Sequence, residues 1–126
     1  MSEYREELPE GCPPLAACEA EEGTSVYRFV AGDVVTDDDF KSQRALKPDR
    51  DFGDMPECIA RGLSVLANQK AAENAKLLSS LKRKHICRVT IGQGAGPLMP
   101  TGQREGHRTW WPLAKFPVLS HCEVLP

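Results

Sequence analysis

No stretch of this chain approaches the roughly 18 consecutive apolar residues that a membrane-spanning helix needs. The opening Met-Ser-Glu-Tyr-Arg-Glu-Glu has no apolar run of the kind found in a secretion leader. The expectation is therefore a protein of the reducing cytoplasm with no membrane partner. A charge excess of one sign is missing too. Sixteen basic and eighteen acidic side chains leave a net charge of -2, which gives no reason to expect a nucleic-acid partner.

Several chemical signatures are also missing. The glycines of the 92–106 stretch are followed by Pro97 and Pro100, so neither a phosphate-binding loop nor a dinucleotide fingerprint fits there. No serine has a base at a diagnostic offset, and no zinc-protease or calcium-loop pattern occurs. Cys12 and Cys18 have the wrong spacing for a zinc knuckle. His85 and Cys87 share a strand face, but adjacent His121 and Cys122 point to opposite faces. No metal and no cofactor are expected. Three of the five cysteines sit in apolar stretches, where free cysteine acts as a small hydrophobe, and no disulfide is expected.

What is present fits one small core. At 126 residues the chain suffices for a single domain. Residues 1–25 are acidic, broken by prolines and glycines and without a sustained period, so they read as an irregular arm in which only Leu15 to Cys18 should dock. Residues 26–126 read as an α+β domain, with four to five mostly antiparallel strands packed against two to three helices. Val26–Val30 alternates as a strand, with Tyr27 and Phe29 on one face and Arg28 among valines on the other. Thr36 and Asp39 have capping-box spacing ahead of a short helix through Leu46, which Pro48 stops. Asp54, Pro56 and Glu57 open a second helix. Two readings follow it: Ile59, Leu63 and Leu66 at helical spacing continue the helix, or Gly62 ends it and Leu63–Leu66 is a strand.

Asn68 caps the clearest helix, expected over Gln69–Leu81. The basic Lys82-Arg83-Lys84 reads as its solvated C-terminal end, favoured by the helix dipole. His85–Ile91 is the clearest strand, and its place between helices and later strands suggests the centre of a sheet. Gly92–Arg108 reads as a long mobile loop, of a length often tied to function. Pro112 marks the Trp-containing 106–113 stretch as an edge strand, and Val118–Leu125 should be the last strand.

The candidate binding residues cluster at the end of the glycine-rich loop: Arg104, His107, Arg108, Trp110 and Trp111. Cationic side chains beside indoles suit an anionic or aromatic ligand, and paired tryptophans also suit the centre of a protein–protein contact. The reading chosen is a small non-catalytic protein that binds another protein, of the antitoxin, immunity or accessory-subunit kind. The alternative is a small enzyme with a loop-mouth site for an anionic ligand, using Arg28, Glu105 and His107. The first requires an exposed apolar patch around the tryptophans, the second a concave pocket with convergent polar groups.

Tyr27-Arg28 on a first strand, Gly62-Leu-Ser64 in mid-chain before a helix, and the late Glu123 together resemble the ADP-ribosyltransferase layout. That resemblance implies a split-sheet α+β domain that binds NAD, with Arg28 holding the cofactor, Ser64 bracing the site and Glu123 catalytic. The stretch around Ser64 lacks the flanking serine-threonine pattern, and Glu123 lies three residues from the end of the sequence.

Overall fold

Thr24–Val30 (β1) and His85–Ile91 (β3) run antiparallel in one unbroken register, from Thr24 opposite Ile91 to Val30 opposite His85. The computed structural model describes residues 3–78 and 80–126. Leu63–Leu66 (β2), Leu98–Pro100 (β4), His107–Trp110 (β5) and Cys122–Val124 (β6) complete a six-stranded sheet in the order β4-β5-β2-β1-β3-β6, antiparallel at every junction. Helices are few and short: Gln43–Leu46 (α1), Glu57–Ala60 (α2) and Gln69–Lys76 (α3). The α+β class is as expected, with six strands rather than four or five. β4, where no strand was expected, and β6, within the expected last strand, are each three residues long.

Both faces of the sheet are covered, so β1 is apolar on both sides rather than alternating with polar residues. One face gathers Val26, Val30, Leu63, Val65, Cys87, Val89 and Trp110 with Phe40 and Val118. The other packs Tyr27, Leu66 and Ile86 against Ala72 and Ala75 of α3. These alanines let the helix lie close to the strands. Burial pushes the Cys87 thiol up to about 12, which suits the expected role of a small hydrophobe.

Several expectations are corrected. The centre of the sheet is β2 and β1, and β3 lies one strand from the edge. Leu63–Leu66 is a strand, because Gly62 passes so close to β5 that a β-carbon there would lie 2.3 Å from the Thr109 methyl and about 3 Å from the Trp111 ring. Glycine thus ends the helix and permits the close approach. β5 is not an edge strand: it pairs with both β2 and β4, and Pro112 lies just beyond it. The 92–108 segment is not one long loop, since β4 and its turn into β5 occupy it. At Gly96 (φ 107°) a β-carbon would lie 2.1 Å from the Trp111 carbonyl. Here the glycine lets the chain press onto its neighbour.

The expected helix from Phe40 begins instead as a 3-10 turn over Asp37–Phe40, with the Asp39 carboxylate accepting from the Thr36 N–H at 2.8 Å, and restarts as α1 under a Ser42 cap. Helix α3 ends at Lys76, so Lys82–Lys84 belongs to the turn leading into β3 and not to a helix end. Val118–His121 is a 3-10 turn, leaving β6 only three residues. Ser79 in the expected helix and Met1–Ser2 in the arm lie outside the described residues.

The arm is held at many points rather than at Leu15–Cys18 alone. Leu15 is fully exposed. Tyr4 and Cys18 form bridges to Leu113 and Leu98, the Glu6 carboxylate accepts from the Ser42 N–H and hydroxyl, and Glu19 accepts from the Gly94 N–H at 2.8 Å. Cys12 and Cys58 form a disulfide, contrary to the expectation of five free thiols. Next to it, Glu57 takes both Arg44 (2.8 Å) and Arg61 (2.8 Å), and Arg61 also reaches the Glu7 carbonyl.

Two outcomes test this packing. Replacing Gly62 with Ala should cost about 1–3 kcal/mol through overpacking, read as a lower urea midpoint; an unchanged midpoint would mean that β2 and β5 do not approach this closely. Hydrogen bonds from Arg44 and Arg61 hold the Glu57 pKa down at about 2. Its folded-state pKa is depressed, so the stabilisation is complete above its unfolded value of about 4.3 and is lost as pH falls through about 2. Glu57→Gln should therefore unfold more readily than wild type at neutral pH and match it near the bottom of that window.

Candidate functional site

Strands β1 and β2 share a single register pair, Tyr27 opposite Leu66. Beyond it they part, and Arg28 stands in the gap. Its Nη1 donates to the Ser64 carbonyl (2.7 Å), its Nε to the Asp39 carbonyl (2.7 Å) and its Nη2 to the Lys41 carbonyl (3.3 Å). The Phe40 ring lies 5.9 Å from the guanidinium carbon. Burial lowers the Arg28 pKa to about 10, opposed by the charge of Asp39, so the group stays protonated at neutral pH. Three carbonyls thus engage the donors that the ADP-ribosyltransferase resemblance would give to a cofactor. In the described structure Arg28 joins β1, β2 and the 36–42 turn.

On the α3 side of the same parting lies a cleft of about 280 Å³. Tyr27, Phe29 and Leu66 contribute its apolar surface, and Ala75 and Leu81 flank it. Ser64, Lys84, Arg104 and His107 supply polar groups. Ser64 alternates with Leu63 and Val65, so its hydroxyl is on the cleft side while Arg28 follows Val26 and Val30 to the other. His107 opens β5 opposite Leu66. Its Nδ1 lies 3.0 Å from the Thr101 carbonyl. A carbonyl only accepts, so a neutral ring carrying its proton on Nδ1 satisfies that contact and leaves Nε2 as an acceptor; the Thr101 hydroxyl lies 3.1 Å from the same nitrogen. The Thr101 hydroxyl continues to the Thr109 hydroxyl at 2.7 Å. A second hollow of about 610 Å³, lined by Asn68, Lys70, Asn74, Gln103 and Glu105, shares Arg104 with the cleft.

The sequence-based residues therefore divide. Ser64, Arg104 and His107 meet at the cleft, with Arg28 also in its lining, and Glu105 is in the adjoining hollow. Arg108 shares the strand face of Trp110, away from the cleft, with its Nη1 donating to the His107 carbonyl. Glu123 is on β6 at the sheet edge, bound to Arg88 at 2.7 Å. Three strand spacings separate β6 from β2, on the order of 14 Å, so Glu123 cannot join Ser64 in one site. The tryptophans are not a surface. Trp110 is 0% and Trp111 1% exposed, with their indole N–H groups donating to Ala95 and Cys58 carbonyls at 3.1 and 2.9 Å. The exposed patch expected around them does not exist in this structure.

Sequence reasoning missed the cleft itself. Tyr27 and Phe29 on one face was the available signal, but only the order of the strands brings His107 and Lys84 to them. No protein-family model, curated protein or solved structure matches the chain.

If Arg28 joins the strands rather than a ligand, Arg28→Leu should cost about 2–3 kcal/mol, because three carbonyls, two of them half-buried, lose a charged donor. Urea denaturation measures this; full stability with only ligand affinity lost would return Arg28 to the role of cofactor holder.

Proposed function

We propose that this protein is a small enzyme taking an anionic, ring-bearing ligand of the nucleotide class, with NAD the ligand that the ADP-ribosyltransferase resemblance implies. The observation that carries this reading is the convergence of Ser64, Lys84, Arg104 and His107 on a concave cleft with an aromatic surface. Apolar walls with a few convergent polar groups are what small-molecule sites present. A cleft of about 280 Å³ accommodates one nucleoside-sized half of a dinucleotide. Arg104, shared with the second hollow, is placed to meet a pyrophosphate between the two halves. His107 Nε2 supplies an acceptor for a proton leaving an attacking group. Glu105, in the adjoining hollow, is the carboxylate of this arrangement, in place of Glu123. Binding of another protein keeps one supporting observation, the exposure of Leu77 (74%) and Leu78 (46%) at the end of α3.

Thermal denaturation with NAD, ADP-ribose, AMP and inorganic phosphate tests the proposal. At a hundredfold excess over its Kd a ligand stabilises by about 2.7 kcal/mol. NAD or ADP-ribose should raise the midpoint, and Phe29→Ala should weaken the effect while His107→Ala should abolish nicotinamide release with binding retained. No shift with any nucleotide would remove the reading.

A further inference from the structure

The near-zero net charge hides a division along the chain. Residues 1–60 hold fifteen acidic and six basic side chains, and residues 61–126 hold three acidic and ten basic. Apart from the Arg61–Glu57 pair, part of this division persists in the fold. The acidic 3-10 turn after β1 packs, through Phe40, on the valine-rich face of the sheet, whereas Lys70, Lys76, Lys82, Lys84 and Arg104 line hollows on the α3 side. The ion pairs among the described residues use Arg5, Lys41, Arg44, Arg61 and Arg88. None uses Lys70, Lys76, Lys82, Arg83, Lys84 or Arg104, of which all but the half-buried Lys76 are exposed.

These unpaired cations follow a path. Lys70 and Arg104 line the larger hollow, and Arg104 and Lys84 the cleft. Across the 82–84 turn, Lys76, Lys82 and His85 line a third hollow of about 550 Å³. On the same side Glu73 and Glu105 are the acidic groups facing them.

We infer that the α3 side of the sheet binds single-stranded nucleic acid, with the backbone phosphates on Lys70, Arg104, Lys84, Lys82 and Lys76. Cations tracking a backbone beside an aromatic surface on which a base can stack are what single-strand binding requires, and Phe29 supplies that surface at the cleft. A lipid bilayer is flat, whereas these cations line concave hollows. The inference does not depend on the cleft ligand being a dinucleotide.

The test is fluorescence anisotropy of a labelled mixed-sequence RNA of about 16 nucleotides, with the full chain. Neutralising about five phosphates predicts a log–log salt slope of about -3.5, or an affinity loss of about a hundredfold between roughly 50 and 200 mM salt. The variant K76Q/K82Q/R83Q, which leaves the cleft untouched, should bind at least tenfold more weakly at the lower salt. It should keep the wild-type circular dichroism spectrum and the wild-type thermal shift with NAD. Wild-type RNA affinity in that variant overturns the inference, as does absence of RNA binding by the wild type at the lower salt. Binding to phosphatidylserine-containing vesicles instead of RNA, released by L77S/L78S, overturns it in favour of an anionic membrane surface.

Discussion

One guanidinium group sits where the sheet changes character. On one side of β1 the ladder to β3 runs its full length, while on the other the pairing to β2 lasts a single step. A strand leaving its neighbour exposes carbonyls that must find donors. Arg28 meets that need with three bonds from one side chain, reaching β2 and both ends of the turn that carries Phe40. Lysine, with a single nitrogen on a flexible stem, could not span three acceptors in fixed directions. The cleft is the other face of the same divergence, since Ser64 is open to solvent because no strand residue packs over it.

The glycines and tryptophans form a second unit, which is one of packing. Trp110 is edge-on to Phe116 at 5.9 Å, and its indole N–H reaches Ala95 within the glycine-rich segment. The Ala95 and Pro97 carbonyls also accept from the Leu113 and Trp111 backbone N–H groups, at 3.0 Å each. The small residues are there because two large indoles occupy the space beside them.

The parts legible in the sequence were local. Strands β1 and β3 announce themselves by β-branched and aromatic content, and Asn68 caps α3 where expected, accepting from the Ala71 N–H at 2.8 Å. Leu63–Leu66 was ambiguous because four apolar-rich residues after a glycine satisfy helix and strand spacing alike, and only the contact with Thr109 and Trp111 decides. Tryptophan burial was missed because a Trp pair before a proline looks the same in sequence at a surface or in a core. Cys12 and Cys58 are 46 residues apart, beyond any local pattern. The site needed strand order above all: His107 comes to Leu66, and Glu123 leaves Ser64, only once β5 is placed beside β2 and β6 beyond β3.

The arm has a consequence for the emergence of the chain from the ribosome. Residues 3–19 come out early, yet their partners are late: Leu113 for Tyr4, Leu98 for Cys18, Gly94 for Glu19. β1 likewise waits for β3, about sixty residues downstream. During synthesis the acidic arm and an apolar strand therefore remain without their contacts until the sheet closes, and non-local pairing of this kind is slow. Seven acidic side chains against one basic over residues 3–22 favour hydration of that waiting segment.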